Sequence, residues 1–179
     1  MKREFNLKQL IRASLLIAIG VILPQAFHAV KDAGAVFLPM HIPVLIGGFI
    51  LNPFYAALVG IITPVLSHLF TGMPPIPIIY VMILELASYG IVLSLVYNKG
   101  KRNLYTALIS SMLLGRAVNI LGNYLILHMF MHRPFNLAAV ASAIFIKGLP
   151  GIALQLAIIP VIVLALKKSL GVSLNRYEG

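Results

Sequence analysis

FLPMHIPVLIGGFILNPFYAALVGIITPVLSHLFTGMPPIP, residues 37–77, holds two apolar runs bracketed by prolines at 39, 43, 53, 74, 75 and 77. A bilayer core of ~30 Å takes about 20 apolar residues per spanning helix. The run after Pro43 reaches only Leu51 before Asn52 and Pro53 interrupt it, and the second, Tyr55 to Phe70, is also short. Proline removes an amide donor and clashes with the preceding turn. Broken helices at membrane depth lie against protein or a water-filled cavity, where the freed carbonyls find partners. Transporters build binding pockets from such interruptions. Two slightly short spans joined by a tight cytoplasmic turn at Asn52-Pro53 fit the same letters.

Outward from this stretch the chain stays apolar. It is 60% hydrophobic over 179 residues, with a mean hydropathy of +1.00. A soluble domain of that composition would expose large apolar patches. The expectation is an all-α integral membrane protein, one domain over residues 1–179, with about six transmembrane helices at roughly 20 to 25 residues each. Helices 2 and 3 are expected to be short, and both termini cytoplasmic. The absence of cysteine removes disulfides, thiolate metal sites and cysteine nucleophiles. A basic start followed by an apolar run resembles a signal peptide, but Pro24, Gln25, Phe27 and His28 stand where a small-x-small cleavage site belongs, so the segment reads as a retained helix.

The net charge of +10 is distributed in a way that decides its meaning. Lys2, Arg3, Lys8 and Arg12 precede the first helix, Lys99, Lys101 and Arg102 lie between the fourth and fifth, and Lys167, Lys168 and Arg176 follow the last. With both ends cytoplasmic, all of these sit on one side, and only Lys31 and Arg133 on the other. That is the positive-inside pattern. The clusters report topology and contact with anionic lipid headgroups, and no nucleic-acid partner is expected.

The first helix is expected from about Leu7 to Ala26, with Ser14, Ala18 and Gly20 forming a small-residue strip that admits a close neighbour. Pro24 should bend its outer end. An outer loop over residues 28–38 leads to short helices at His41–Leu51 and Tyr55–Phe70. A stiff second loop, Thr71 to Pro77, follows. The fourth helix is placed at about Ile78 to Tyr97, a basic turn at Asn98 to Asn103, and a long fifth helix at Leu104 to Met131, which should tilt or project outward. After a third loop, His132 to Asn136, the last apolar segment is broken by Gly148, Pro150 and Gly151, and its spanning part ends near Leu166. No internal repeat or low-complexity tract is present.

Glu85, Arg116 and Lys147 fall inside these expected spans, where ionisable groups are costly and face a cavity or each other. The topology puts Glu85 in the outer half of the fourth helix, Arg116 near the middle of the fifth and Lys147 at the outer mouth of the sixth. Met82, Glu85 and Tyr89 share one helix face, and Arg116, Asn119 and Asn123 another. Both stripes are expected to line one outward-opening pocket. Two cations against one anion leave positive charge for an anionic substrate, although a structural Glu85–Arg116 pair holding helices together fits the same residues. His41, between Pro39 and Pro43, either donates to a ligand or braces the helix start. His68, His128 and His132 lack metal-ligand spacing, so no metal and no cofactor is expected. No Walker A sequence, no G-x-S-x-G elbow and no aspartate within a span is present, and no enzyme is expected.

These residues resemble a known family, the substrate-binding S components of bacterial energy-coupling factor (ECF) vitamin transporters. The likeness covers nearly the whole chain: the small-residue strip of the first helix, LPMHIPVLIGGFILNPFYAALVG, TGMPP, ELASYG and GLPGIALQ. LPMHIP with TGMPP looks most like S components assigned to pantothenate or to pyridoxine-related vitamins. The resemblance implies high-affinity capture of a water-soluble vitamin at a bacterial plasma membrane, with pantothenate first and pyridoxine or hydroxymethylpyrimidine next. It implies docking onto a transmembrane scaffold (T) subunit carrying two ATPase subunits, followed by toppling to release the vitamin. The family's Ala-x-x-x-Ala docking strip falls here on Ser14 and Ala18. A structural or channel-like membrane protein without a ligand is the alternative from another class.

Overall fold

A computed structural model describes residues 6–27, 33–132 and 134–170. Lys2, Arg3, Glu4, His28, Lys31, Asp32, Arg133, Arg176 and Glu178 lie outside the described residues, as does the side chain of Lys167. Helix α1, Leu7–Ile22, starts where Asn6 Oδ1 accepts the amide of Gln9 at 3.3 Å, and continues as a 3-10 turn over Leu23–Phe27. A short α2, Ala33–Phe37, lies where a plain loop was expected. Then come α3, His41–Ile50, α4, Pro53–Thr71, and α5, Ile78–Ser94. Helix α6, Leu104–Gly122, leads to α7, Leu137–Ala141, and α8, Leu149–Leu170. Wide π-helical turns extend α5 over Leu95–Lys99, α6 over Asn123–Phe130 and α7 over Ser142–Lys147.

Five helical stretches are long and apolar enough to cross a membrane, Leu7–Phe27, Pro53–Thr71, Ile78–Lys99, Leu104–Phe130 and Leu149–Leu166. His41–Ile50 and Leu137–Lys147 are apolar but shorter. The second helix is therefore short, as expected, and the third is not. Pro53 was read as part of the break, yet it occupies the first turn of α4, where a missing N–H costs nothing and the fixed backbone suits a helix start. Asn52 Oδ1 completes that start by accepting the amide of Tyr55 at 3.0 Å. The helix even tolerates Pro64 in its interior and runs 19 residues to Gly72, whose φ of 72° favours a residue without a side chain.

Helix α5 is the hub, packed by α3, α4 and α6. The close approaches rest on glycine. A Cβ on Gly90 would stand 2.5 Å from the carbonyl oxygen of Ala56, and one on Gly115 would stand 2.6 Å from the Tyr89 ring. Val44, Leu45, Phe49, Val59, Leu86 and Leu93 fill the core. Large apolar side chains such as Leu7, Ile11, Leu15 and Ile22 of α1 face outward, which is how a helix in contact with lipid is composed.

The break after α3 finds partners on its neighbours. Ser94 Oγ donates to the Leu51 carbonyl at 2.7 Å, Asn98 Nδ2 reaches the Gly48 and Leu51 carbonyls at 3.4 Å each, and Gln9 Oε1 accepts the Asn52 amide at 2.9 Å. Two helices, α1 and the extended α5, thereby take up backbone groups that the interrupted one leaves. At the other end, α2 lies on α8. A Cβ on Gly151 would stand 2.6 Å from the Val36 carbonyl, and Gln155 Nε2 donates to the Leu38 carbonyl at 3.4 Å. His68 Nδ1 lies 2.8 Å from the Pro74 carbonyl and ties the Thr71–Pro77 loop to α4.

Candidate substrate-binding site

The one acid within the described spans gathers the polar side chains around it. Glu85 is 3% exposed and Arg116 is 4% exposed. Arg116 Nη1 donates to Glu85 Oε1 at 3.1 Å, and Tyr89 Oη donates to the same oxygen at 3.1 Å. Asn119 Nδ2 donates to Oε2 at 2.6 Å. Asn123 Nδ2, one turn further along, donates to the Asn119 carbonyl and to Asn119 Oδ1 at 2.9 and 2.8 Å. His41, the first residue of α3, brings Nε2 to 3.7 Å from Glu85 Oε1 and stacks edge-on against Tyr89 with ring centroids 5.5 Å apart. The two stripes read from helical spacing thus meet at Glu85, and His41 meets the one on α5.

The meeting follows from local sequence. Glu85 and Tyr89 sit one turn apart on α5, so the phenol hydroxyl reaches back to the carboxylate. Gly115 lets the Tyr89 ring lie flat against α6, which brings Arg116 and Asn119 within reach. The pair is a desolvated ion pair, whose attraction offsets the loss of water only because further hydrogen bonds complete the carboxylate. Met82, on the same face of α5, is partly buried and packs against the core.

The guanidinium is only half engaged. Arg116 Nε and Nη2 are buried without a hydrogen-bond partner among the described residues, and so are both ring nitrogens of His41. Unfilled buried donors are uncommon in folded proteins and call for an explanation. Nε and Nη2 form the side-on edge of the guanidinium, suited to two parallel bonds to a planar acceptor.

Lys147 is placed differently from the sequence reading. It closes the π-helical turn before Gly148 and α8, outside the helical stretches of spanning length, and is exposed. The break read at Gly148, Pro150 and Gly151 falls just after it, and the helix restarts at Leu149 with Pro150 and Gly151 inside its first turn. Thr63 and Ser67, which the sequence reading did not single out, are buried on α4 with unpartnered hydroxyl oxygens. Their spacing of one helical turn around Pro64 is the signal that marks them. Ser14 and Ala18 are exposed on α1, beside a groove that Ile17, Val21, Ile62 and Leu66 also line. No set of three or more His, Cys, Asp or Glu able to hold a metal ion occurs among the described residues.

Apolar helices of spanning length around a buried, half-engaged ion pair define a multi-pass membrane protein with a polar centre. The family model described as ECF transporter, substrate-specific component, matches residues 8–163. The chain belongs to that family. It is a transporter component and not an enzyme, of a kind that binds a small substrate and works with T and ATPase subunits. No curated protein matches it.

Proposed function

We propose that this chain captures pantothenate at a bacterial plasma membrane for an ATP-driven importer, with the vitamin's carboxylate on the Nε–Nη2 edge of Arg116. The observation that carries this reading is the half-engaged guanidinium, buried with Nε and Nη2 unpartnered. A carboxylate entering the site sheds water, and two charge-assisted bonds offset that loss better than neutral donors do. In this reading His41 and Asn119, which stand beside Glu85, and Asn123, bonded to Asn119, orient the polar remainder of the vitamin, with Tyr89 and Met82 as its walls and Lys147 at the mouth. The face of α1 carrying Ser14 and Ala18 docks on the T subunit of a module with two ATPases.

A second reading, a neutral ligand such as pyridoxine or hydroxymethylpyrimidine, is favoured by one observation. Glu85 already balances Arg116, and Lys147 lies exposed outside the spans.

Mass spectrometry of small molecules carried through purification, followed by calorimetry with pantothenate and pyridoxine, tests both. Arg116→Ala removes a buried charged partner, a loss of ~3 to 5 kcal/mol, and is expected to weaken pantothenate by roughly two to four decades at ~1.4 kcal/mol per decade. Lys147→Ala is expected to change affinity by less than about tenfold. If a folded Arg116→Ala binds pantothenate as the parent does, the carboxylate assignment fails. If the parent binds pyridoxine alone, the second reading replaces the first.

A further inference from the structure

We infer that Glu85 does not touch the substrate but restrains the site's appetite for anions, positioning Arg116 while holding back part of its charge. This inference rests on the carboxylate reading above. Its starting point is how completely Glu85 is occupied. Oε1 accepts from Arg116 Nη1 and Tyr89 Oη, with His41 Nε2 at 3.7 Å, and Oε2 accepts from Asn119 Nδ2. Asn119 is itself fixed by Asn123. Donors from α5 and α6 converge on one carboxylate with the His41 ring of α3 beside it, which leaves it little capacity to accept hydroxyl hydrogens from a ligand.

Two consequences follow, with opposite signs. In the empty protein, Glu85 neutralises a guanidinium that would otherwise be a lone buried cation, a state that costs far more than a paired one. In the filled protein, a ligand carboxylate on the Nε–Nη2 edge shares that guanidinium with Glu85, and the two carboxylates repel across it at low dielectric. The same side chain stabilises the empty fold and weakens the anion complex. A residue with a purely structural role would support both.

Glu85→Gln separates the two roles, because its amide oxygen can keep the bonds from Arg116 and Tyr89 while the charge is gone. The probes are pantothenate and panthenol, the alcohol that has CH2OH in place of the carboxylate. Calorimetry on the full chain is expected to show Glu85→Gln binding pantothenate at least about tenfold more tightly than the parent, ~1.4 kcal/mol. The ratio of panthenol to pantothenate Kd is expected to rise by at least the same factor. The empty variant is expected to unfold at a lower temperature and to gain a larger thermal shift from pantothenate.

If the parent binds pantothenate but the variant binds it no more tightly, or the ratio stays where it was, the inference is overturned and the carboxylate reading survives. If the parent does not bind pantothenate, the reading fails and the inference with it. Should the empty variant not survive extraction, pantothenate added during solubilisation is expected to rescue it and panthenol not to. Equal rescue by both, or rescue by neither, overturns the inference.

Discussion

Gly60 of α4 stands against the backbone of Leu86 on α5 so closely that a Cβ built on it would lie 2.5 Å from the Leu86 carbonyl carbon and oxygen. Leu86 follows Glu85 directly, so this contact sets how near α4 comes to the helix that carries the polar centre. Backbone atoms cannot step aside as the tip of a flexible side chain can. Gly60→Ala therefore forces the helices apart, at a cost of ~1 to 3 kcal/mol or more. Thermal unfolding in detergent is expected to show a lower midpoint, with weaker vitamin binding in the fraction that remains folded. An unchanged midpoint would mean that the two helices do not pack at this distance.

Asn98 holds two carbonyls of the α3 break and also donates to Ser94 Oγ at 3.2 Å. Asn98→Leu keeps the bulk and removes the donors, leaving buried acceptors with fewer partners, a loss of ~1 to 3 kcal/mol. Denaturant or thermal scans are expected to show that loss, whereas the affinity of the folded variant for its vitamin stays near the parent's. A variant as stable as the parent would show that water or another side chain takes over the carbonyls.

Ser14 and Ala18 are exposed on α1 and line a groove with Ile17, Val21, Ile62 and Leu66. Ala18→Trp is expected to abolish transport in cells supplied with the whole importer while vitamin binding by the isolated chain persists, since only small side chains allow helices to approach at close range. Transport at the parent's rate would place the docking face elsewhere.

The positive-inside reading of the cation clusters predicts a cytoplasmic turn after α5. In this cysteine-free chain, Lys99→Cys is expected to resist a membrane-impermeant thiol reagent in intact cells and to react once the cells are opened. Labelling of intact cells would invert the topology.

Much of this architecture was open to a reader of the letters, because the strongest constraints are local. The α3 break announces itself through Asn52-Pro53 after a short apolar run, and the face shared by Glu85 and Tyr89 follows from helical spacing alone. Glu85 as the one acid in the expected spans made Arg116 its natural partner. What stayed hidden depended on tertiary context. Pro53 reads as a stop until Asn52 is seen capping the next helix. Pro64 and the hydroxyls of Thr63 and Ser67 look like ordinary helix-interior residues until their burial is known. Asn98 looks like the start of a polar turn, yet it belongs to the π-helical end of α5 and points inward to the break. For Lys147 the letters give the break at Gly148, Pro150 and Gly151 but not on which side of it the spanning helix begins, which is at Leu149.

The ten residues of α3 carry a last consequence. At a rise of ~1.5 Å each they extend about 15 Å, roughly half of a ~30 Å hydrocarbon core. A full-length helix would wall the membrane from face to face, whereas this one stops partway, with His41 at its tip beside the Glu85–Arg116 pair. Beyond that tip the chain turns through Pro39 and the buried Met40 to α2, which lies on α8. The depth of the polar centre is thus set by where a helix ends, and a lengthened α3 would carry His41 away from the Glu85–Arg116 pair without altering either partner.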